Sequence, residues 1–406
     1  MEIIEGGITS PKGFKAGGVE AGIKSNRKDM AAIYSDIPAN VAGVFTQNIV
    51  QAAPVIWDKN IVDNYEKSQL IIINAGIANA STGKQGMLYC DETVKKAAEI
   101  FDIQKDNILL ASTGVIGQQL PMDKISNGIV LLKEEIGYEK QKGTSAAQAI
   151  MTTDTVKKEI AVKIEIDNKK VTIGGVCKGS GMIHPNMCTM LGFITTDLNI
   201  SKSLLNEALQ EIVNDTFNMI SVDGDTSTND TVLVMANGLA GNEEINSKNE
   251  NYDKFKEALR FVSEYLAKRI AEDGEGATKL FEVKVEGASS DKQARVIAKS
   301  VITSNLTKTA LFGNDANWGR ILCAMGYSGE KFEPEKVDLK FSSTAGELDI
   351  VIDGIATNYS EEKATEILSQ KEVRALINIH EGQFEATAWG CDLTYKYVEI
   401  NGDYRS

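Results

Sequence analysis

The residues best suited to chemistry stand together in one stretch, Lys178 to Asp197, KGSGMIHPNMCTMLGFITTD. Gly179, Gly181 and Pro185 break its first half, and Thr189 then heads an apolar run. A hydroxyl beside constrained backbone can attack the carbonyl before it, here across Cys188–Thr189. Hydrolysis of the resulting ester would free an α-amine on Thr189. Such an amine has an ordinary pKa of about 7.7–8, so near neutral pH it can take the proton of its own residue's hydroxyl. The product is a nucleophile carrying its own base, and its chemistry is acyl transfer. Spacing alone favours a plainer reading, in which Thr189 only begins a buried strand. Cys188 is a rival nucleophile, with His184 four residues earlier as its base, although nothing nearby marks it as a thiolate.

Three other segments hold chemically useful residues. Ser112-Thr113-Gly114-Val115-Ile116-Gly117 follows an apolar run. Its glycines allow backbone amides to face a cleft, and Thr113 adds a hydroxyl donor, as an oxyanion hole requires. An ordinary strand-to-helix turn has the same composition. Asp223 to Asp230, DGDTSTND, looks like a cation loop but has Thr228 and Val234 where an EF-hand needs Gly and Glu. A loop bonded to itself through its side chains fits better. In Asp273-Gly274-Glu275-Gly276, Glu275 is placed either to meet a ligand ammonium or to stand in solvent after a helix C-cap. Gly313 to Arg320 reads as a capping turn opening a helix. P-loop, dinucleotide-binding and nucleophile-elbow patterns are absent.

Composition narrows the classes. The chain has 406 residues, 42% hydrophobic and 25% charged, which suits a globular protein of two domains or two intimate halves. A net charge of −14 argues against nucleic acid and against an anionic membrane surface as partners. Five scattered cysteines without a CxxC pair point to reduced thiols in a cytoplasm. The N-terminal MEIIEGGITSPKGF lacks a signal-peptide core, and no apolar run reaches membrane-spanning length. With only His184 and His380, a three-histidine metal site is excluded, and no metal is expected.

The elements that must position these residues alternate. Leu70–Ile73 and Ile108–Ala111 are buried-strand patterns, and Asp91–Phe101 and Asp123–Lys133 have helical spacing. Glu159–Ile166 and Lys170–Val176 flank Asp167-Asn168 as a hairpin. Met190–Ile194 reads as a central strand, Leu204–Phe217 as a helix and Thr231–Met235 as a strand. Tyr252–Ala271 is a long amphipathic helix, and Asn242–Asn251 is a surface loop. The fold class is α/β.

Taken in order, the motifs resemble the ArgJ family, the ornithine acetyltransferases or glutamate N-acetyltransferases. GITSPKGFKAGGVEAGIK, AGVFTQN, NAGIANASTG, STGVIG, TTDT, KGSGMIHPNMCTML, SVDGDTSTND, DGEGATK, ALFGNDANWGRI and the terminal INGDYRS carry the likeness across almost the whole chain. The resemblance implies a layered α/β fold of ArgJ/DmpA type, built from two intertwined halves of a self-cleaving precursor. Residues 1–188 would be the α chain and 189–406 the β chain, assembled as two α and two β. It implies cleavage at Cys188–Thr189 and acetyl transfer from N2-acetylornithine to glutamate through acetyl-Thr189, with release of ornithine. Thr113 and Gly114 match the oxyanion-hole pair. Thr155, Lys178, Thr189, Glu275, Asn401 and Ser406 match the substrate contacts. No cofactor is implied, and acetyl-CoA serves some members as a second acetyl donor. An N-terminal-nucleophile amidohydrolase or aminopeptidase on the same fold is the alternative. The chain departs from the family at Cys188 and His184, where alanine is usual, and at Ala75 and Ile77, where the pattern has Ser and Asn.

Overall fold

The computed structural model describes residues 1–184 and 190–403. The chain divides into two compact units. One holds Met1–Gly179, Pro185–Asn218 and Thr226–Leu266; the other holds Ser180–His184, Met219–Asp225 and Ala267–Ser406. Cleavage at Cys188–Thr189 would divide the covalent chain, a different division from that into units, since each unit draws on both predicted products.

In the first unit the strands are β1 (Glu2–Ile4), β2 (Phe14–Val19), β3 (Met30–Phe45), β4 (Lys67–Ile77), β5 (Ile108–Val115), β6 (Lys158–Ile166), β7 (Lys169–Lys178), β8 (Leu191–Thr196) and β9 (Thr231–Ala236). They form one mixed sheet in the order β1-β6-β7-β8-β9-β3-β4-β5, with β2 paired to β3. The β4–β5 and β8–β9 pairs are parallel. The helices are α1 (Ala53–Asn64), α2 (Lys84–Phe101), α3 (Met122–Glu135), α4 (Lys140–Ala149), α5 (Lys202–Asp215) and α6 (Glu250–Glu272), whose last residues belong to the second unit.

Alternation along β4 builds the core on both faces. Leu70 and Ile72 join Val94 and Phe101 of α2 and Ile125 and Ile129 of α3 in one buried cluster. Ile71 and Ile73 point the other way and meet Val55 and Ile61 of α1 and Ala146 of α4. Each fully buried aliphatic side chain contributes about 1.5–3 kcal/mol. A strand so covered reads as a continuous apolar run, which is why LIII was recognisable. The β6–β7 hairpin turns on Asp167 and Asn168, both at positive φ (50° and 58°), as a two-residue turn of the primed type demands.

The second unit contains β10 (Leu280–Ala288), β11 (Asp338–Ser343), β12 (Gly346–Ile352), β13 (Ile355–Ala356), β14 (Glu372–Asn378) and β15 (Phe384–Cys391), in the order β13-β12-β11-β14-β10-β15. Its helices are α7 (Asp291–Thr303), α8 (Asn305–Phe312), α9 (Trp318–Gly326), α10 (Glu361–Leu368) and α11 (Tyr395–Gly402). The α7 helix starts where Ser290 accepts a hydrogen bond from the Gln293 amide, and it lies along β10 and β15 with Ile297, Val301 and Ile302 buried.

The sequence-derived elements recur with small shifts at their ends. The helix expected from Asp91 starts earlier, at Lys84, because Gly83 at φ 63° is the turn that begins it. The Asn242–Asn251 loop is not wholly superficial. Asn242 is buried and exchanges hydrogen bonds with Asn199, its Oδ1 taking the Asn199 amide at 3.0 Å and its Nδ2 donating to the Asn199 carbonyl at 3.1 Å.

Candidate active site

The Thr113–Gly114 segment ends β5, in register with β4: Ala75 faces Thr113, and Gly76 faces Gly114. The two backbones approach closely there. Gly114 has φ 127°, and a Cβ on it would lie 2.2 Å from the Gly76 carbonyl carbon. Only glycine fits both demands. Buried amide and hydroxyl groups fix the two strand ends. Ser112 Oγ donates to Asn74 Oδ1 at 2.6 Å, and Asn74 Nδ2 donates to the Ile77 carbonyl at 2.8 Å. Asn229, just before β9, donates through Nδ2 to the carbonyls of Ala78 (2.6 Å) and Ser112 (2.8 Å). These bonds leave the Thr113–Gly114 backbone little freedom to move.

Lys178, the last residue of β7, is buried, and its ammonium donates to Thr113 Oγ1 at 3.4 Å. The hydroxyl oxygen is thereby used as an acceptor, and its own proton is left to donate elsewhere. After Lys178, the Gly179 amide donates to Asp154 Oδ1 at 2.7 Å. Asp154 is buried with Lys158, Nζ to Oδ1 2.7 Å. Burial alone would raise the Asp154 carboxyl. The Lys158 and Lys178 ammonium groups and the Gly179 amide outweigh it and hold the carboxyl well below the usual range. Thr155 follows Asp154 on an exposed turn. Asp230 is buried too, and burial pushes its carboxyl well above the ordinary value despite the Ser227 hydroxyl and the Lys178 charge.

In the second unit, Glu275 stands in the turn after α6. Its amide donates to the Ser180 carbonyl at 2.8 Å, and its carboxylate accepts from Asn401 Nδ2 of α11 at 2.7 Å. Glu275 is 7% exposed, so the solvated C-cap reading is wrong. Gly181 makes room for it, and Gly276 lets the start of α11 approach. A Cβ on Gly181 would lie 2.3 Å from the Glu275 carboxyl, and Gly276, at φ 70°, would clash with the Tyr397 amide. Asp223 accepts from the amides of Met182 (2.6 Å) and Ile183 (2.8 Å). It also takes the Asp225 amide at 3.2 Å, so the loop is self-bonded, as read, and also a clamp on the GSGMI segment. His184 Nδ1 lies 3.1 Å from Ser221 Oγ. Burial, with the Lys299 charge, lowers the imidazole pKa to about 4, so it is neutral at pH 7. Among the described residues no cluster of His, Cys, Asp and Glu is arranged to hold a metal ion.

Comparison with known proteins decides the family. The sequence matches the model of the ArgJ family over residues 15–406. The chain belongs to the ArgJ family. It is 50% identical over 406 residues to the arginine biosynthesis bifunctional protein ArgJ of Caldanaerobacter subterraneus subsp. tengcongensis, covering both chains completely. It is 52% identical to ArgJ 1 of Clostridium acetobutylicum, over 98% of this chain and 97% of that one. Among solved structures it resembles ArgJ from Bacillus halodurans, with 49% identity and a TM-score of 0.51, covering 53% of this chain and 99% of that chain. The protein is thus an enzyme of arginine biosynthesis with acyltransferase character. No helix among its described residues is long and apolar enough to cross a membrane.

Of the residues expected from the ArgJ pattern, the structure joins Thr113, Gly114 and Lys178 in the first unit, and Glu275 with Asn401 in the second. Cys188, Thr189 and Ser406 lie outside the described residues. At the two positions near Asn74 expected to depart from the ArgJ pattern, Ala75 is fully buried and Ile77 packs against the apolar cluster of α2 and α3. Sequence reasoning missed Asn74, Asp154 and Asn229. All three lie inside quoted motifs, yet each also has a partner far off in the chain, at separations of 38, 25 and 151 residues.

Proposed function

We propose that this protein transfers acetyl from N2-acetyl-L-ornithine to L-glutamate in two half-reactions through an ester on Thr189, after cutting its own chain between Cys188 and Thr189. The Thr189 hydroxyl oxygen attacks the acetyl carbonyl while its α-amine accepts the proton. Negative charge develops on the carbonyl oxygen and is met by the Thr113 hydroxyl and the Gly114 amide. The intermediate collapses with cleavage of the C–N bond, the proton passes to the departing amine, and ornithine leaves. The glutamate amine then attacks the ester, and its proton returns to the Thr189 oxygen. Lys178 neutralises a substrate carboxylate as a point charge. Glu275 and Asn401 receive the substrate ammonium, and Thr155 and Ser406 complete the contacts. The two half-reactions need no cofactor, since Thr189 supplies both nucleophile and base.

The observation that carries this reading is the Thr113–Gly114 pair, with Gly114 held against Gly76 and Lys178 bonded to the Thr113 oxygen. The solved relative adds support. Its chain is matched by 53% of this one, about 215 residues, close to the 218 from Thr189 to Ser406. Two chains of residues 1–188 with two of residues 189–406, in the cytoplasm, form the assembly we propose.

The test is to incubate the protein with acetylornithine and no acceptor, then weigh the C-terminal fragment. One added acetyl group on Thr189 is the expected result, and an unmodified fragment refutes the mechanism. Thr189→Ala should leave a single band of 44.0 kDa. Glutamate-independent acetate release would instead mark an amidohydrolase. A parallel assay with acetyl-CoA and glutamate reads whether a second donor is used.

A further inference from the structure

Lys24 is a half-buried cation beside the oxyanion segment, and the reading above gives it no role. It ends the GGVEAGIK motif in the turn between β2 and β3. Asp29, fully buried, knots this turn by accepting the amides of Ala21 (2.6 Å), Ile23 (2.5 Å) and Lys24 (2.8 Å). The Lys24 stem then crosses the strand end that carries the site: a Cβ on Gly76 would lie 3.0 Å from Lys24 Cγ, and Gly76 is the residue against which Gly114 is pressed. The ammonium donates to the carbonyls of Met151 (2.8 Å) and Ala149 (3.3 Å), at the loop that leads to Asp154 and Thr155.

An ammonium has three donors, and these carbonyls take two. The carboxylates that act on Lys24 from nearby are both engaged elsewhere, Asp29 by three amides and Asp154 by Lys158 and Gly179. Burial, with Arg27 and Lys178, lowers its pKa to about 8, outweighing the two carboxylates. A half-buried cation with a spare N–H, beside a second cation and short of anionic partners, is a place for an anion. Lys178 accounts for one substrate carboxylate. A dicarboxylic acceptor brings two.

We propose that Lys24 is a specificity-determining contact for the acetyl acceptor, its ammonium taking the second carboxylate of a dicarboxylic amino acid, glutamate in the function proposed above, on which this inference rests. Glutamine has the same shape without that charge and so measures the contact directly.

The experiment compares glutamate and glutamine on the wild type, Lys24→Met and Lys24→Arg, as acceptors for the acetyl-enzyme or as inhibitors competing with glutamate. In Lys24→Met the KM for glutamate should rise about 10- to 100-fold with kcat nearly kept, the loss of one charged hydrogen bond. The preference for glutamate over glutamine should shrink by the same factor, and Lys24→Arg should restore part of it. If Lys24 only tethers the Met151 loop, glutamate and glutamine decline together, and that result overturns the proposal. Mass measurement of acetyl-enzyme formed from acetylornithine separates the two claims. A wild type that never acetylates defeats the underlying function, whereas normal acetylation with unchanged discrimination in Lys24→Met defeats the role of Lys24 alone.

Discussion

Asn401 donates its side-chain N–H to the Glu275 carboxylate across 2.7 Å, joining residues 126 positions apart in the sequence. Asn401 also donates to the Tyr397 carbonyl at 3.0 Å, so its amide is held by α11 before any ligand arrives. Glu275 is buried, and the Asn401 amide meets part of its need for donors. We expect Asn401→Leu to raise the KM for acetylornithine about 5- to 30-fold, since loss of a bond to a charged group costs ~1.5–3 kcal/mol in part recovered by the substrate ammonium. Asn401→Asp should be worse, because it sets a second negative charge against Glu275. Steady-state kinetics on both variants decide it, and an unchanged KM in each would remove Glu275 from donor recognition.

Gly114 and Thr113 separate backbone shape from hydroxyl chemistry. Gly114→Ala must displace the Gly76 backbone, 2.2 Å from its new Cβ, and adopt φ 127°. It should lower both the melting temperature and kcat. Thr113→Val keeps shape and removes the donor. Its kcat should fall about 100- to 1,000-fold with the melting temperature nearly kept, the cost of one oxyanion donor. A Thr113→Val enzyme with wild-type kcat would take the hydroxyl out of the reaction.

The sequence made legible what repeats along the chain. β4, β5 and β8 announced themselves as apolar runs because both faces are covered, and Asp167-Asn168 announced the hairpin because few residues accept two positive φ values. Glycines beside Thr113 were visible as a potential cradle, and the family motifs gave them a purpose. What stayed hidden was the partner of each polar residue. Asn229 reaches the carbonyls of Ala78 and Ser112, and Glu275 lies under Asn401, only because the fold closes long loops. No local pattern distinguishes a buried Glu after a helix from a solvated one. Burial is set by distant glycines, here Gly181, that leave space for it.

Asp154 should be a stability residue as well as a site residue. Its folded pKa lies below the ordinary value, so its pairing with Lys158 and Lys178 stabilises the protein above about pH 3.8 and is lost as the pH falls toward the folded pKa. Asp154→Asn leaves Lys158 buried without its counter-charge, at a cost of ~3–5 kcal/mol. Urea midpoints at neutral pH should show that loss. The gap between variant and wild type should narrow steadily as the pH falls from about 3.8 toward the folded pKa, and an equal gap at neutral and at strongly acid pH would contradict the pairing.

His184 should make the fold acid-sensitive at a milder pH. Burial first, and then the Lys299 charge, lower its pKa from 6.5 to about 4, so the folded state holds the imidazole neutral. Between those values the unfolded chain binds the proton and the folded chain does not, so stability falls as the pH drops from about 6.5 to about 4 and levels off below. His184→Ala removes that slope, at the cost of the Nδ1 contact with Ser221. The residue is four positions before Cys188, and the function proposed above gives it no part in the cut, so self-cleavage should survive the change. Melting temperatures of wild type and His184→Ala at closely spaced pH values between 7 and 4 test the first claim, and a denaturing gel tests the second. Parallel pH curves would show that His184 is not the group that titrates. An uncut His184→Ala chain would show that this chain, with Cys188 before its threonine, has come to need the imidazole for the cut.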